Sequence, residues 1–155
     1  MPKGPLIYRQ RLMTRVTHWV WAVCLFFLLL TGLQIFNAHP SLYLGLESGF
    51  EYDNAILEIG ARRNGDTLQG VTRVFGREFD TTGVLGVSNG EVRAIPSAFT
   101  IPSKTSLALG RTIHFFFAWM LVIALTIWLV ASALNGHLRQ LVPSFAELRG
   151  LPNDI

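Results

Sequence analysis

The chain has 155 residues, 50% of them hydrophobic and 15% charged, with a formal net charge of +3 and a mean hydropathy of +0.39. Soluble domains usually carry more charge, so the composition argues against an ordinary soluble domain and for a membrane protein. Nothing in it calls for a nucleic-acid partner.

Residues 1–15 form a basic leader with Lys3, Arg9, Arg11 and Arg15 and no acidic residue, which by the positive-inside rule puts this segment in the cytoplasm. The uncharged run 16–36 that follows exceeds the roughly 20 apolar residues needed to cross a bilayer core as a helix. Phe36-Asn37-Ala38-His39-Pro40 at its far end lacks a small-x-small cleavage site, so the run is read as a retained first transmembrane helix and not a signal peptide. The only cysteine, Cys24, lies mid-span; it allows neither an internal disulfide nor a Cys-x-x-Cys-His haem attachment, and packing is its expected role.

Residues 37–110 are too long for a simple helix-to-helix turn and form an external, periplasmic loop. Glu47, Glu51, Asp53 and Glu58 there balance Arg62, Arg63, Arg73 and Arg77. Glu51 to Gly70 is expected to be a short helix. Asp80-Thr81-Thr82-Gly83 reads as a turn. Asn89-Gly90, between Gly86-Val87 and Val92-Arg93, predicts a small β-hairpin with a type I′ turn. Pro96 and Pro102 bracket an extended approach to the second transmembrane helix, 111–134. Asn135-Gly136 signals its end, and 135–155 returns to the cytoplasm.

Each span carries a histidine at its head, three residues after an arginine: Arg15 and His18, then Arg111 and His114. Ionisable groups in a membrane span are costly and mark function, and neutral imidazole is a strong ligand for haem iron. Residues i and i+3 share a helix face, so each arginine can pair with a haem propionate while the neighbouring imidazole binds iron. The plainer reading is that both rings are interfacial residues beside Trp19 and Phe115. From His18 to Phe36 the helix rises about 27 Å at 1.5 Å per residue, so the antiparallel helices place the two histidines near opposite faces and imply two haems. His39 is on the side of His114 and His137 on the side of His18, but both sit beyond helix ends, where a capping or interfacial role competes with ligation. Gly32 offers a flat approach for a macrocycle or, equally, close helix packing. Phe115, Phe116, Phe117 and Trp119 are expected mostly to face lipid or packing neighbours.

The chain resembles the bacterial membrane b-type cytochrome subunits grouped with cytochrome b561, thiosulfate reductase and the nickel-iron hydrogenase cytochromes. Arg15-Val16-Thr17-His18-Trp19 continuing to Thr31-Gly32-Leu33, Asn37-Ala38-His39-Pro40, Phe79-Asp80-Thr81-Thr82-Gly83-Val84-Leu85-Gly86 and Gly110-Arg111-Thr112-Ile113-His114-Phe115 carry the resemblance, extended by Gly136-His137-Leu138-Arg139 and Val142-Pro143-Ser144. It implies an all-α membrane protein: two transmembrane helices of a four-helix di-haem bundle, with the small hairpin in the external loop. It further implies two haems b, His18 on the cytoplasmic-side iron and His114 on the outer one. The implied function is electron transfer between the quinone pool and a molybdenum or other oxidoreductase subunit, in the bacterial inner membrane. With two spans in place of four, the remaining axial histidines are expected from a C-terminal half, a second copy or another membrane subunit. A haem-free anchor or assembly subunit and half of a proton-coupled transporter are the competing expectations.

Overall fold

Helix α1 spans Leu12–Phe36 and helix α2 spans Leu107–Leu134 in the computed structural model, which describes residues 12–46 and 53–136. Both helices are long and apolar enough to cross a membrane. Each begins one turn earlier than the apolar runs suggest, because Leu12, Met13, Leu107, Ala108 and Leu109 are helix-compatible and the arginines can sit within the first turns. Ser106 Oγ accepts the Leu109 N–H at 3.4 Å and so caps the start of α2. At its far end Gly136, with φ of +67°, takes the left-handed position that stops the helix as expected. His137 and the rest of the C-terminal segment lie outside the described residues.

The chain divides into two compact units, Met1–Cys24 with Trp119–Ile155 and Leu25–Ala118, and each helix contributes to both. In the first unit, Trp21 and Trp128 meet edge to face with ring centroids 5.3 Å apart, an arrangement the ring quadrupoles favour. Thr17 is buried, and its hydroxyl is satisfied within α1 by donating to the Met13 carbonyl at 2.9 Å.

The second unit is built on strands, which corrects two expectations. Residues 55–74 form the hairpin of β2 (Ala55–Asn64) and β3 (Thr67–Val74), flanked by β1 (Ser41–Tyr43) and β4 (Arg77–Asp80) in one antiparallel sheet of order β1-β2-β3-β4. The short helix expected over Glu51 to Gly70 is therefore absent from its described residues, and the chain is not all-α. Ala, Leu, Glu and Arg give 55–63 a helical composition. Pairing of Leu57 to Asn64 with Thr67 to Val74 overrides that propensity, closed by Gly65 with φ of +61° in a two-residue turn. A second tight turn, Phe75-Gly76, joins β3 to β4 with both residues at positive φ. The hairpin at Asn89-Gly90 is as expected: β5 (Val87–Ser88) pairs with β6 (Glu91–Val92), and the turn residues have φ of 52° and 78°. The approach between Pro96 and Pro102 is not simply extended, since Ser97–Phe99 forms a 3-10 turn and the Ile101–Pro102 peptide is cis.

The Asp80–Gly83 turn is also present and stitches the two sheets together. Asp80 Oδ1 accepts the Thr82 N–H at 2.9 Å and the Thr82 hydroxyl at 2.6 Å. Thr82 Oγ1 in turn accepts the Gly70 N–H at 2.9 Å. The segment that follows lies directly on β2 and β3: a Cβ on Gly70 would fall 2.1 Å from the Leu85 carbonyl oxygen, and one on Gly86 would fall 2.1 Å from that of Gly60. Only glycine allows this backbone-on-backbone contact.

Gly70→Ala and Gly86→Ala should each destabilise the second unit by roughly 1–3 kcal/mol or more, as overpacking against rigid backbone does. Gly60→Ala, whose Cβ meets nothing within 4 Å, should stay within about 0.5 kcal/mol. Hydrogen exchange at the β2 and β3 amides separates these outcomes. A pH effect follows from Asp80, whose carboxylate is held below its ordinary 3.8 by the Thr82 hydroxyl first and the Thr82 N–H second. A depressed acid contributes stability that is complete above its unfolded value and lost as pH falls through the folded one. Protection of the Gly70 amide should therefore weaken as pH drops below 3.8, and Asp80→Asn should flatten that dependence.

Candidate functional site

Three layers of facing residues join α1 and α2 in the second unit, with His114 in the middle one. One turn C-terminal to it on α2, Phe117 stacks on Phe27 of α1 with centroids 4.2 Å apart and planes 3° from parallel. In the middle layer, Thr31 Oγ1 is 2.9 Å from His114 Nδ1, and a Cβ on Gly32 would lie 3.6 Å from His114 Cε1. One turn toward the start of α2, a Cβ on Gly110 would lie 3.0 Å from Gln34 Cγ. Small residues thus face larger ones in two layers, which brings the helix backbones close.

The hydrogen bonds assign the tautomer of His114 when its ring is neutral. Thr31 is fully buried and has one hydroxyl proton, which goes to the Phe27 carbonyl at 2.6 Å. Its lone pair must then accept from His114, so the proton of the ring sits on Nδ1 and Nε2 keeps an unprotonated lone pair. An imidazole held through Nδ1–H with Nε2 unprotonated is one arrangement that metal-ligating histidines use.

Above this layer a buried polar cluster ties α1 to the loop. Arg93 is 7% exposed and Gln34 is 2% exposed. The Arg93 guanidinium donates to Gln34 Oε1 and the Ser103 carbonyl, and to Thr100 Oγ1 at 2.7 Å. Gln34 Nε2 donates to the Lys104 carbonyl at 3.4 Å. The side-chain amide of Asn37 pairs with the Ile95 backbone, accepting its N–H at 2.7 Å and donating to its carbonyl at 3.3 Å.

The remaining expected site residues fall elsewhere. Arg111 is exposed and, like Arg15, makes no hydrogen bond or ion pair among the described residues. His18 is exposed and belongs to the other unit; its neighbouring ring is Trp19, with centroids 6.2 Å apart. His39 is exposed, stacks on Tyr43 and has its Nε2 2.9 Å from the Tyr43 hydroxyl. His137 lies outside the described residues. Gly32 faces the His114 ring, where an added Cβ would be in ordinary contact with it. Phe115, Phe116 and Trp119 are exposed. Cys24 is buried. Among the described residues no group of three or more His, Cys, Asp or Glu side chains is arranged to hold a metal ion.

Sequence reasoning missed Thr31 as the partner of His114, and missed Gln34 and Arg93 altogether as site residues. Gln34 did carry a signal, since an amide inside an apolar run demands a partner. No protein-family model, curated protein or solved structure matches the chain.

Thr31→Val should leave the half-buried His114 without its acceptor and cost about 1 kcal/mol, the usual net worth of one hydrogen bond. Thr31→Ser should retain the bond. Nitrogen-15 spectra of the imidazole check this directly: protonation on Nδ1 in the wild type and the Ser variant, and loss of that preference in the Val variant. An unchanged Nδ1–H signal in Thr31→Val would remove Thr31 from this role.

Proposed function

We propose that the chain is a membrane b-type cytochrome subunit that passes electrons between the quinone pool and a partner oxidoreductase subunit, such as a molybdenum enzyme, using two haems b. The observation that carries this reading is the His114 imidazole fixed through Nδ1 by Thr31, with Nε2 left as the donor. Two apolar helices, each with a histidine three residues after an arginine, support it, as does the resemblance to the bacterial cytochrome b561, thiosulfate reductase and hydrogenase cytochromes.

The donor set fits one axial imidazole for each haem. His114 serves one site and His18 the other, each histidine in its own compact unit. Haem supplies the one-electron couple when bound. The chain's own residues do the positioning: Thr31 fixes the rotation of the His114 ring, Gly32 faces its edge, and the Phe27–Phe117 stack packs the next layer. Arg111 and Arg15, exposed and unpaired among the described residues, are free to meet propionates. The second axial ligands in this reading come from a second copy of the chain or another membrane subunit. In this reading the protein sits in a bacterial inner membrane with both termini cytoplasmic, and the strand-rich second unit lies outside.

Reduced-minus-oxidised spectra of haem-replete membranes test the proposal, with pyridine haemochrome quantification of each variant. The expected result is b-type absorbance, reduced by half in His114→Ala and by half in His18→Ala, since each change empties one site. Arg111→Gln should keep the haem but move one midpoint potential negative, because a nearby cation favours the more negative reduced haem. Absence of b-type absorbance in the intact, haem-replete protein would overturn the reading.

A further inference from the structure

We propose that the cavity beside the start of α2 is a binding site for a phosphate group. The cavity measures about 480 Å³ and is walled by Arg93, Lys104, Ser97, Ser103, Thr105 and Glu91, among others. Arg93 makes the site more than a surface hollow. Its side chain is 7% exposed, its partners Gln34, Thr100 and the Ser103 carbonyl are all neutral, and its Nε is buried with no partner. None of the ion pairs among the described residues includes it. A buried cation without a counter-ion is costly, and the cost is removed by an anion placed against it.

A second, separate feature points the same way. The cavity wall ends at Thr105, immediately before the capping residue of a 28-residue helix with no acidic residue in its first turn. The positive end of that helix is therefore not neutralised by its own sequence, and helix N-termini bind anions. Lys104 adds a charge on the wall and Ser97, Ser103 and Thr105 add hydroxyls. This mix of cations and hydroxyls matches the several acceptor oxygens of a phosphate. The Glu91 carboxylate is the one opposing group. It is exposed on β6, so two cations face one anion across the wall.

The volume falls within the range of small-molecule pockets and exceeds what a bare oxyanion fills, so a phosphate carrying a substituent fits best. The site also stands where the chain enters an apolar helix, the level at which lipid phosphates lie against a membrane span. A phospholipid headgroup and free phosphate share the recognised chemistry, and the experiment tells them apart. The inference is independent of haem.

The test uses the full chain, delipidated in detergent, with Lys104→Gln as the main variant because Lys104 is exposed and its loss spares the Arg93 cluster. Arg62→Gln, which removes a surface cation paired to Glu78 and remote from the cavity wall, controls for general charge. One arm measures retention of phosphatidylglycerol against a phosphate-free glycolipid by native mass spectrometry. The other measures protection of the residue 91–105 amides by inorganic phosphate against chloride at equal ionic strength. Losing one charge-assisted contact should weaken binding about tenfold. Selective phospholipid retention, weakened about tenfold by Lys104→Gln and unchanged by Arg62→Gln, supports the site with a lipid ligand. The same pattern for inorganic phosphate alone supports it with a free ligand. Binding of neither, or equal binding by the wild type and Lys104→Gln, overturns the proposal.

Discussion

The guanidinium of Arg93 has to be satisfied in the interior of the second unit, and the junction between α1 and the loop is organised around that requirement. Its donors reach α1 through Gln34, the 3-10 turn region through Thr100 and the segment before α2 through Ser103. Gln34 then binds the Lys104 carbonyl and lies against Gly110 of α2. One buried side chain, just after β6, thereby links the end of α1, the 3-10 turn region and the segment before α2. Such networks are stabilising only when their members are satisfied, since each unmet donor in a low-dielectric interior carries its full desolvation cost. Arg93 Nε, buried with no partner, is the donor the network leaves unmet.

Below that junction, the contact between α1 and α2 depends on pairing small residues with large ones. Close packing and an interhelical hydrogen bond supply the association. Gly110 opposite Gln34, Gly32 opposite His114 and the parallel Phe27–Phe117 stack provide the packing. Thr31 with His114 provides the hydrogen bond. The same contact that joins the helices orients the imidazole.

The strand-rich segment between the helices is a folded body and not a tether. Its compactness comes from backbone meeting backbone at Gly60, Gly70 and Gly86 and from the Asp80–Thr82–Gly70 chain of hydrogen bonds. Phe75 is held at φ of 47° in an exposed turn, a conformation that costs a non-glycine residue on the order of 1 kcal/mol. Arg73, flanked by Glu58 and Asp53, is kept firmly charged on the sheet. Surface ion pairs of this kind contribute little stability, so the glycine contacts and the turn network carry the unit.

Features set by local chemistry were legible in the chain itself. The two apolar helices follow from uninterrupted hydrophobic runs, the Asn89-Gly90 hairpin from residues that accept positive φ, the Asp80–Gly83 turn from an aspartate that bonds its own backbone, and the stop at Gly136 from glycine's freedom. His114 was legible as a candidate because an ionisable group in an apolar run is rare. What tertiary structure alone decided depends on partners distant in sequence. Residues 55–64 have helix-forming composition, and only pairing with Thr67 to Val74 makes them a strand. Thr31 is an ordinary helical threonine until α2 places His114 Nδ1 against it, 83 positions away. Arg93 reads as a hairpin flank until folding buries it against Gln34, 59 positions away. Periodicity and turn chemistry are written in neighbouring residues, whereas satisfaction of a buried donor is written in whichever residues the fold brings within hydrogen-bond reach.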